Sequence, residues 1–273
     1  MKIISTIEEL QTIRKNLNKT VGFVPTMGAL HDGHLSLIKQ SYSQNEITIV
    51  SIFVNPTQFL AGEDLEKYPN KMQADTKICE LANVDYLFTP KISTMYSEDE
   101  VLIKAPKIRS YTLEGERRPS HFDGVLQVVL KLFNLVQPTN VYFGKKDAQQ
   151  LALIKQMSKN LFLTPNIIEC EIVRETDGLA MSSRNVYLSK EQRIQALKIS
   201  KSLKIAAKMI GQKELDVSNI ISAMQEVMEG MDIEYISIVN RDFKQISTIE
   251  IGNTIILIAV QVGTPRLIDN IWI

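Results

Sequence analysis

Val21-Gly22-Phe23-Val24-Pro25-Thr26-Met27-Gly28-Ala29-Leu30-His31-Asp32-Gly33-His34-Leu35-Ser36-Leu37-Ile38 is the stretch on which the fold turns. The apolar run 21–24 leads through a glycine-bearing turn into 35–41, which carries apolar residues on one side. That spacing predicts a strand, a corner and a helix. Such a corner aims backbone N–H groups and the positive helix end at one point, which suits a phosphate. His31 and His34, two of the chain's three histidines, stand on it. An imidazole donates hydrogen bonds to phosphate oxygens in either charge state. The corner therefore reads as a nucleotide site in which a phosphate is attacked or expelled.

Outward from the corner, strand-like and helix-like runs alternate. Residues 47–54 form a near-continuous apolar strand, and 65–83 a helical stretch with Pro69 near its start. Residues 84–88 are strand-like and stop at Pro90, 124–136 are helical, and 140–143 are again strand-like. Residues 147–161 carry Leu151, Ile154, Met157 and Leu161 on one helical face, and 167–173 close the series as a strand. This βαβ alternation predicts an α/β fold, a parallel sheet with helices on both faces, whose ligands bind beyond the carboxyl ends of the strands. After residue 185, helical stretches at 189–210 and 217–228 precede strand-like runs at 234–239, 254–260 and 266–273. The expected division is 1–175, holding the nucleotide site, and a smaller α+β domain over 176–273.

Composition sets outer bounds. The 273 residues are 44% hydrophobic and 23% charged, as in an ordinary globular protein. Lysine plus arginine and aspartate plus glutamate both number 31, so no global field attracts nucleic acid or an anionic membrane. Anions must then be captured by local groups. Cys79 and Cys170 are too few for a disulfide scaffold and read as buried free thiols in a reducing compartment. The first nine residues carry acids early and lack a long apolar segment, so no signal peptide is expected. The run 254–260 is too short to span a bilayer. A soluble, cytoplasmic protein is the expectation.

Four further segments carry candidate chemistry. Phe53-Val54-Asn55-Pro56-Thr57-Gln58-Phe59 follows a strand, and Gln58 beyond the Pro56 turn offers both a donor and an acceptor to a polar substrate. In Phe143-Gly144-Lys145-Lys146-Asp147-Ala148-Gln149-Gln150, a lysine can meet a phosphate, and Asp147 can cap a helix or meet a ribose hydroxyl or Mg2+. Asp177-Gly178-Leu179-Ala180-Met181-Ser182-Ser183-Arg184-Asn185 reads as a short, flexible, hydroxyl-rich loop ending in a guanidinium suited to phosphate. Leu113-Glu114-Gly115-Glu116-Arg117-Arg118-Pro119-Ser120-His121-Phe122-Asp123-Gly124-Val125 concentrates charge and the last histidine before an apolar helix. Singly, each also reads as a turn, cap, linker or solvated loop. A zinc site would need more ligands than His31, His34 and at best His121 supply. Neither Gly-x-Gly-x-x-Gly nor a P-loop is present.

Taken in order, the segments at 25–34, 53–59, 142–150 and 177–185 resemble the pantoate–β-alanine ligase (pantothenate synthetase) family over essentially the whole chain. That family belongs to the nucleotidyltransferases with a His-x-Gly-His signature. The resemblance implies a Rossmann-like domain plus a C-terminal lid domain, and a cytoplasmic homodimer. It also implies a two-step reaction: ATP and (R)-pantoate give pantoyl adenylate and pyrophosphate, and β-alanine then displaces AMP, with Mg2+ accompanying ATP. By motif position, Met27, Gly28, Ala29, Leu30, His31, Asp32, Gly33 and His34 would line the ATP site, with His34 catalytic. Gly144, Lys145, Lys146, Asp147, Val173, Met181, Ser182, Ser183 and Arg184 would complete it, Lys146 on the phosphates and Asp147 toward the ribose. Gln58, Gln150 and Asn55 would serve pantoate and β-alanine.

Lys145 stands where many members carry an acid, and Ser120 where glycine is frequent. The chemistry agrees with the residues themselves. Carboxylate attack on the α-phosphorus builds negative charge that His31, His34, Lys146, Arg184 and Mg2+ suit. Amine attack on the activated acyl group needs mainly positioning. A nucleotidyltransferase with a nucleotide-like acceptor would want further phosphate-binding cations. A non-catalytic ATP-binding module would not need the His34, Lys146 and Arg184 set.

Overall fold

A computed structural model of the chain describes every residue except 61, 64 and 67, and leaves out the side chain of Ile108. Contacts divide the chain into two units, Met1–Lys145 with Gln149–Glu171, and Lys146–Ala148 with Ile172–Ile273.

In the first unit the chain runs through β1 (Lys2–Ile4), α1 (Ile7–Lys15), β2 (Val21–Thr26), α2 (Asp32–Gln44) and β3 (Ile47–Ile52). It continues through α3 (Met72–Leu81), β4 (Tyr86–Phe88) and the single turns α4 (Ile92–Met95), α5 (Lys107–Ser110) and α6 (Glu114–Arg117). It ends with α7 (His121–Val136), β5 (Asn140–Gly144), α8 (Ala148–Asn160) and β6 (Asn166–Cys170). The six strands form one sheet in the order β1-β4-β3-β2-β5-β6, every neighbouring pair parallel. β2 lies between β3 and β5, where the order reverses, so the predicted corner sits at the switch point of the sheet.

The core follows from strand alternation. Val24, Val50, Leu87 and Tyr142 cluster with Leu37 and Ile38 of α2 and Cys79 of α3. Phe23, Ile49, Phe88 and Val141 alternate with them along the strands, are fully buried, and point to the opposite face. Pro25 is tolerated in this central strand because β2 pairs with β5 only at Gly22 and Phe23. Its missing N–H therefore interrupts no ladder on that side.

The second unit is α9 (Lys190–Gly211) and α10 (Val217–Val227) with an antiparallel sheet β7 (Asp232–Asn240), β8 (Thr254–Gln261) and β9 (Arg266–Trp272). Its core joins Ile199, Leu203, Ile220 and Met224 to Ile256, Ile258 and Val260. Within this unit Arg174 forks onto Asp269 at 2.6 and 3.0 Å, tying the chain's entry to β9.

Several boundaries differ from the sequence reading. α3 begins at Met72, not 65, because Pro69 and Asn70 precede it in non-helical backbone; residue 67 of that range lies outside the described residues. α2 starts at Asp32, α7 at His121, and 145–147 is a 3-10 turn ahead of α8. β6 ends at Cys170 because Val173 leaves the sheet and accepts from the N–H of Met181. Both cysteines are free and buried; burial pushes the Cys79 thiol up to about 12 and that of Cys170 to about 11.

Candidate active site

The corner is built from hydrogen bonds that consume its own backbone donors. Gly28 and Ala29 both take positive φ, +83° and +49°. The Gly28 N–H donates to Thr26 Oγ1 at 3.1 Å. Those of Ala29 and Leu30 each donate, at 2.8 Å, to a different oxygen of Asp75, which reaches under the corner from α3 and is 2% exposed. A Cβ on Gly28 would stand 3.0 Å from both an Asp75 oxygen and Ile52, so only glycine fits there. The sequence reading assigned these N–H groups to phosphate; the structure assigns them to Thr26 and Asp75.

What the corner presents is its histidines. His31 is the N-cap of α2, and its Nδ1 accepts from the Gly33 N–H at 3.2 Å. His34 Nδ1 accepts from the His31 N–H at 3.4 Å, so the two rings form a capping box with centroids 4.1 Å apart. A backbone N–H can only donate, so each Nδ1 is an acceptor and the neutral ring carries its proton on Nε2. Two Nε2–H donors therefore stand at the positive end of a thirteen-residue helix.

The loop after β3 holds Gln58 beside the corner. Gln58 Nε2 donates to Met27 Sδ at 3.1 Å, and its Oε1 accepts from Asn55 Nδ2 at 3.1 Å. Asn55, 1% exposed, also donates to Gly124 O and accepts from Tyr96 and Thr57 hydroxyls. Its two donors and two acceptor sites are thus all engaged inside the protein. Sequence reasoning placed Asn55 on substrate; its observed contacts hold Gln58. Gly124 permits this close approach, since a Cβ there would lie 2.3 Å from Thr57 O.

The segment 113–125, which taken singly reads as a solvated loop, is built against the Gln58 loop. His121 Nδ1 lies 2.7 Å from Gln58 O, and Arg118 Nη1 lies 3.1 Å from His121 Nε2. Arg118 also grips both oxygens of Glu63 at 2.7 Å. Burial, reinforced by the Arg118 charge, lowers the His121 imidazole to about 4. Burial raises Glu63, but the Arg118 hydrogen bonds and charge outweigh it and hold that carboxyl below its ordinary range. Asp75, Tyr96 and Glu63 were not legible as site residues, whereas Arg118 stood in the segment 113–125 without a role. The available signal for Asp75 was its place four residues before Cys79 on the buried side of α3.

Gly144 ends β5, next to β2. Lys145 pairs with Glu171, so the extra cation noted in the sequence is matched by a local acid. Gln149 is buried and binds the Arg109 and Thr112 carbonyls, whereas Gln150 is half-buried. A cavity of about 690 Å³ at the ends of β3 and β4 has Met27, Gly28, Lys71, Asp75 and Lys91 on its wall.

In the second unit Lys146 is half-buried, its carbonyl accepting from Asn270 at 2.7 Å, and Asp147 is exposed. The segment 177–185 folds as a hydrogen-bonded turn. Met181 N–H meets Val173 O at 3.0 Å, Arg174 bridges Ala180, and Ser182 Oγ caps the 3-10 turn Ser183–Tyr187 that carries Arg184. Asn185 closes it onto Glu175 and Ala180 O. The structure thus brings Val173 and Met181 together, and Met27 with Gln58 in the first unit.

A doubly wound parallel sheet with a histidine-capped helix at its switch point defines an α/β protein whose candidate site lies beyond β2, β3 and β5. The model of the family described as pantoate-beta-alanine ligase matches residues 2–272. The chain belongs to that family. A protein from Aliarcobacter butzleri named pantothenate synthetase is 61% identical over 273 residues, covering 100% of both chains. The crystal structure of pantothenate synthetase from Thermus thermophilus is 38% identical with a TM-score of 0.94, covering 99% of each chain. The Francisella tularensis pantoate-beta-alanine ligase, solved with beta-gamma ATP and beta-alanine, is 37% identical with a TM-score of 0.83. The match covers 100% of this chain and 97% of that one.

Proposed function

We propose that this protein joins (R)-pantoate to β-alanine at the expense of ATP, by way of pantoyl adenylate. The observation that carries the reading is the histidine capping box, which sets two Nε2–H donors at the helix start. In the first step a pantoate carboxylate oxygen bonds to the α-phosphorus and the bond to the pyrophosphate oxygen breaks. Negative charge grows on the phosphate oxygens, where His34 and His31 donate. Lys146 and Arg184 serve the departing phosphates, and Mg2+ travels with them on ATP. Gly144, Asp147, Val173, Met181, Ser182 and Ser183 contribute to ATP binding, and Gln58 and Gln150 take the pantoate. Asn55 acts through Gln58, and Lys145 is balanced by Glu171.

In the second step the β-alanine nitrogen bonds to the acyl carbon, AMP leaves with the bonding pair of the acyl–oxygen bond, and the ammonium loses its proton. Positioning dominates this step. The working form we propose is a cytoplasmic homodimer; no helix among the described residues is long and apolar enough to cross a membrane. The reading is tested by pantoate-dependent exchange of pyrophosphate into ATP without β-alanine. Exchange that needs pantoate supports it; exchange independent of pantoate, or none, overturns it.

A further inference from the structure

We propose that His121, oriented by Arg118 and Glu63, is a positioning residue that fixes Gln58 for the substrate acid. The proposal rests on the reading of Gln58 as a pantoate contact.

Three observations converge on it. First, His121 is 8% exposed and spends its Nδ1 on the carbonyl of Gln58 at 2.7 Å. Second, its ring cannot swap roles. A guanidinium has no acceptor, so the Arg118 Nη1 contact at 3.1 Å obliges Nε2 to accept and leaves the proton on Nδ1. Arg118 is itself held by two 2.7 Å bonds to Glu63, and its Nη2 reaches Gln58 O at 3.4 Å. Third, the far end of Gln58 is also clamped, Oε1 by Asn55 and Nε2 on Met27 Sδ. Backbone and side chain are thus pinned from opposite ends, so the amide has one orientation to offer.

The charged groups facing His121 are Arg118, which opposes its protonation, and Glu63 and Glu114, which favour it. Burial decides between them, and the ring stays neutral at working pH. A neutral Nδ1–H on a carbonyl is a strut of fixed length, which suits orientation and excludes a proton-transfer role. Apolar side chains could fill the same space; a chain of carboxylate, guanidinium, imidazole and carbonyl specifies geometry instead.

The test uses the two amide replacements of the imidazole. An asparagine nitrogen falls near the Nδ1 position, a glutamine nitrogen near Nε2. His121→Gln is expected to raise the pantoate KM about tenfold, with kcat at saturation within about twofold, and His121→Asn to stay within about threefold of the unmodified protein. Equal KM values in the two variants overturn the proposal. Gln58→Ala is measured alongside. If it leaves pantoate affinity unchanged, the reading of Gln58 itself fails; if it weakens pantoate and His121→Gln does not, only the positioning role fails. Should the variants not fold, 15N NMR of the unmodified protein decides. A His121 ring protonated on Nδ1, with a shift that moves when pantoate binds, supports the role; an Nε2 tautomer or a shift indifferent to pantoate overturns it.

Discussion

Nε2 of Gln58 lies 3.1 Å from Sδ of Met27, joining the loop after β3 to the corner after β2. A thioether is a weak acceptor, so this amide N–H is cheaply transferred to a better partner, such as a substrate hydroxyl or carboxylate. Gln58→Ala should weaken pantoate at least about tenfold while leaving ATP affinity unchanged. Asn55→Ala should act through Gln58, so the double variant should cost less than the sum of the two singles. Titration of pantoate by calorimetry checks both, and strict additivity would place Asn55 on substrate after all.

Asp75 supports the corner from below. Asp75→Asn replaces one of its two acceptor oxygens with an amide nitrogen facing a backbone N–H. The expected loss of stability is about 1–3 kcal/mol, read from urea unfolding. Adenylation should slow as well, because the turn that aims His31 and His34 loosens. A variant with unaltered unfolding midpoint and rate would show that the corner holds its positive-φ residues without this carboxylate.

The tautomer of His34 makes a directional prediction. His34→Ala should slow pantoyl adenylate formation by roughly 10²–10³ in single turnover, the scale for removing one transition-state donor. His34→Gln, with a nitrogen near the Nε2 position, should recover part of the loss, and His34→Asn should not. The reverse order would put the working proton on Nδ1.

Stability should fall on mild acidification. His121 binds its proton near pH 4 in the folded chain and near its ordinary value of 6.5 when unfolded. Between those values the unfolded state holds more protons, so stability rises with pH through this window and is lost as pH falls from 6.5 toward 4. The contribution is at most about 3 kcal/mol. Glu63, depressed below its ordinary range, adds loss in the same direction at the acid end. Unfolding at pH 7, 5.5 and 4.5 measures the trend, which should be smaller in His121→Asn.

Much of the fold was legible because its signals are local. Continuous apolar runs such as 47–54 mark strands buried on both faces, and the helical faces of 147–161 and 189–210 stand out by period. β1 was missed because a three-residue edge strand with two exposed residues carries too short a pattern, and α1 because Leu10 is its one buried residue. The corner residues and Gln58 were legible as types in a motif. Their supports were not: Asp75 lies 46 residues from Ala29, and His121 lies 63 from Gln58. Contacts of that separation leave no periodicity. The partners of the Ala29 and Leu30 N–H groups were hidden for the same reason, since the acceptor that takes both, Asp75, belongs to another helix.

The central claim, activation of pantoate as its adenylate, is met most directly by isotope transfer. Pantoate labelled with 18O in its carboxylate is turned over with ATP and β-alanine, and AMP, inorganic phosphate and pyrophosphate are examined by mass spectrometry. The account predicts one labelled oxygen in the phosphoryl group of AMP and none in the other two. Label in inorganic phosphate, with ADP as the nucleotide product, would contradict it.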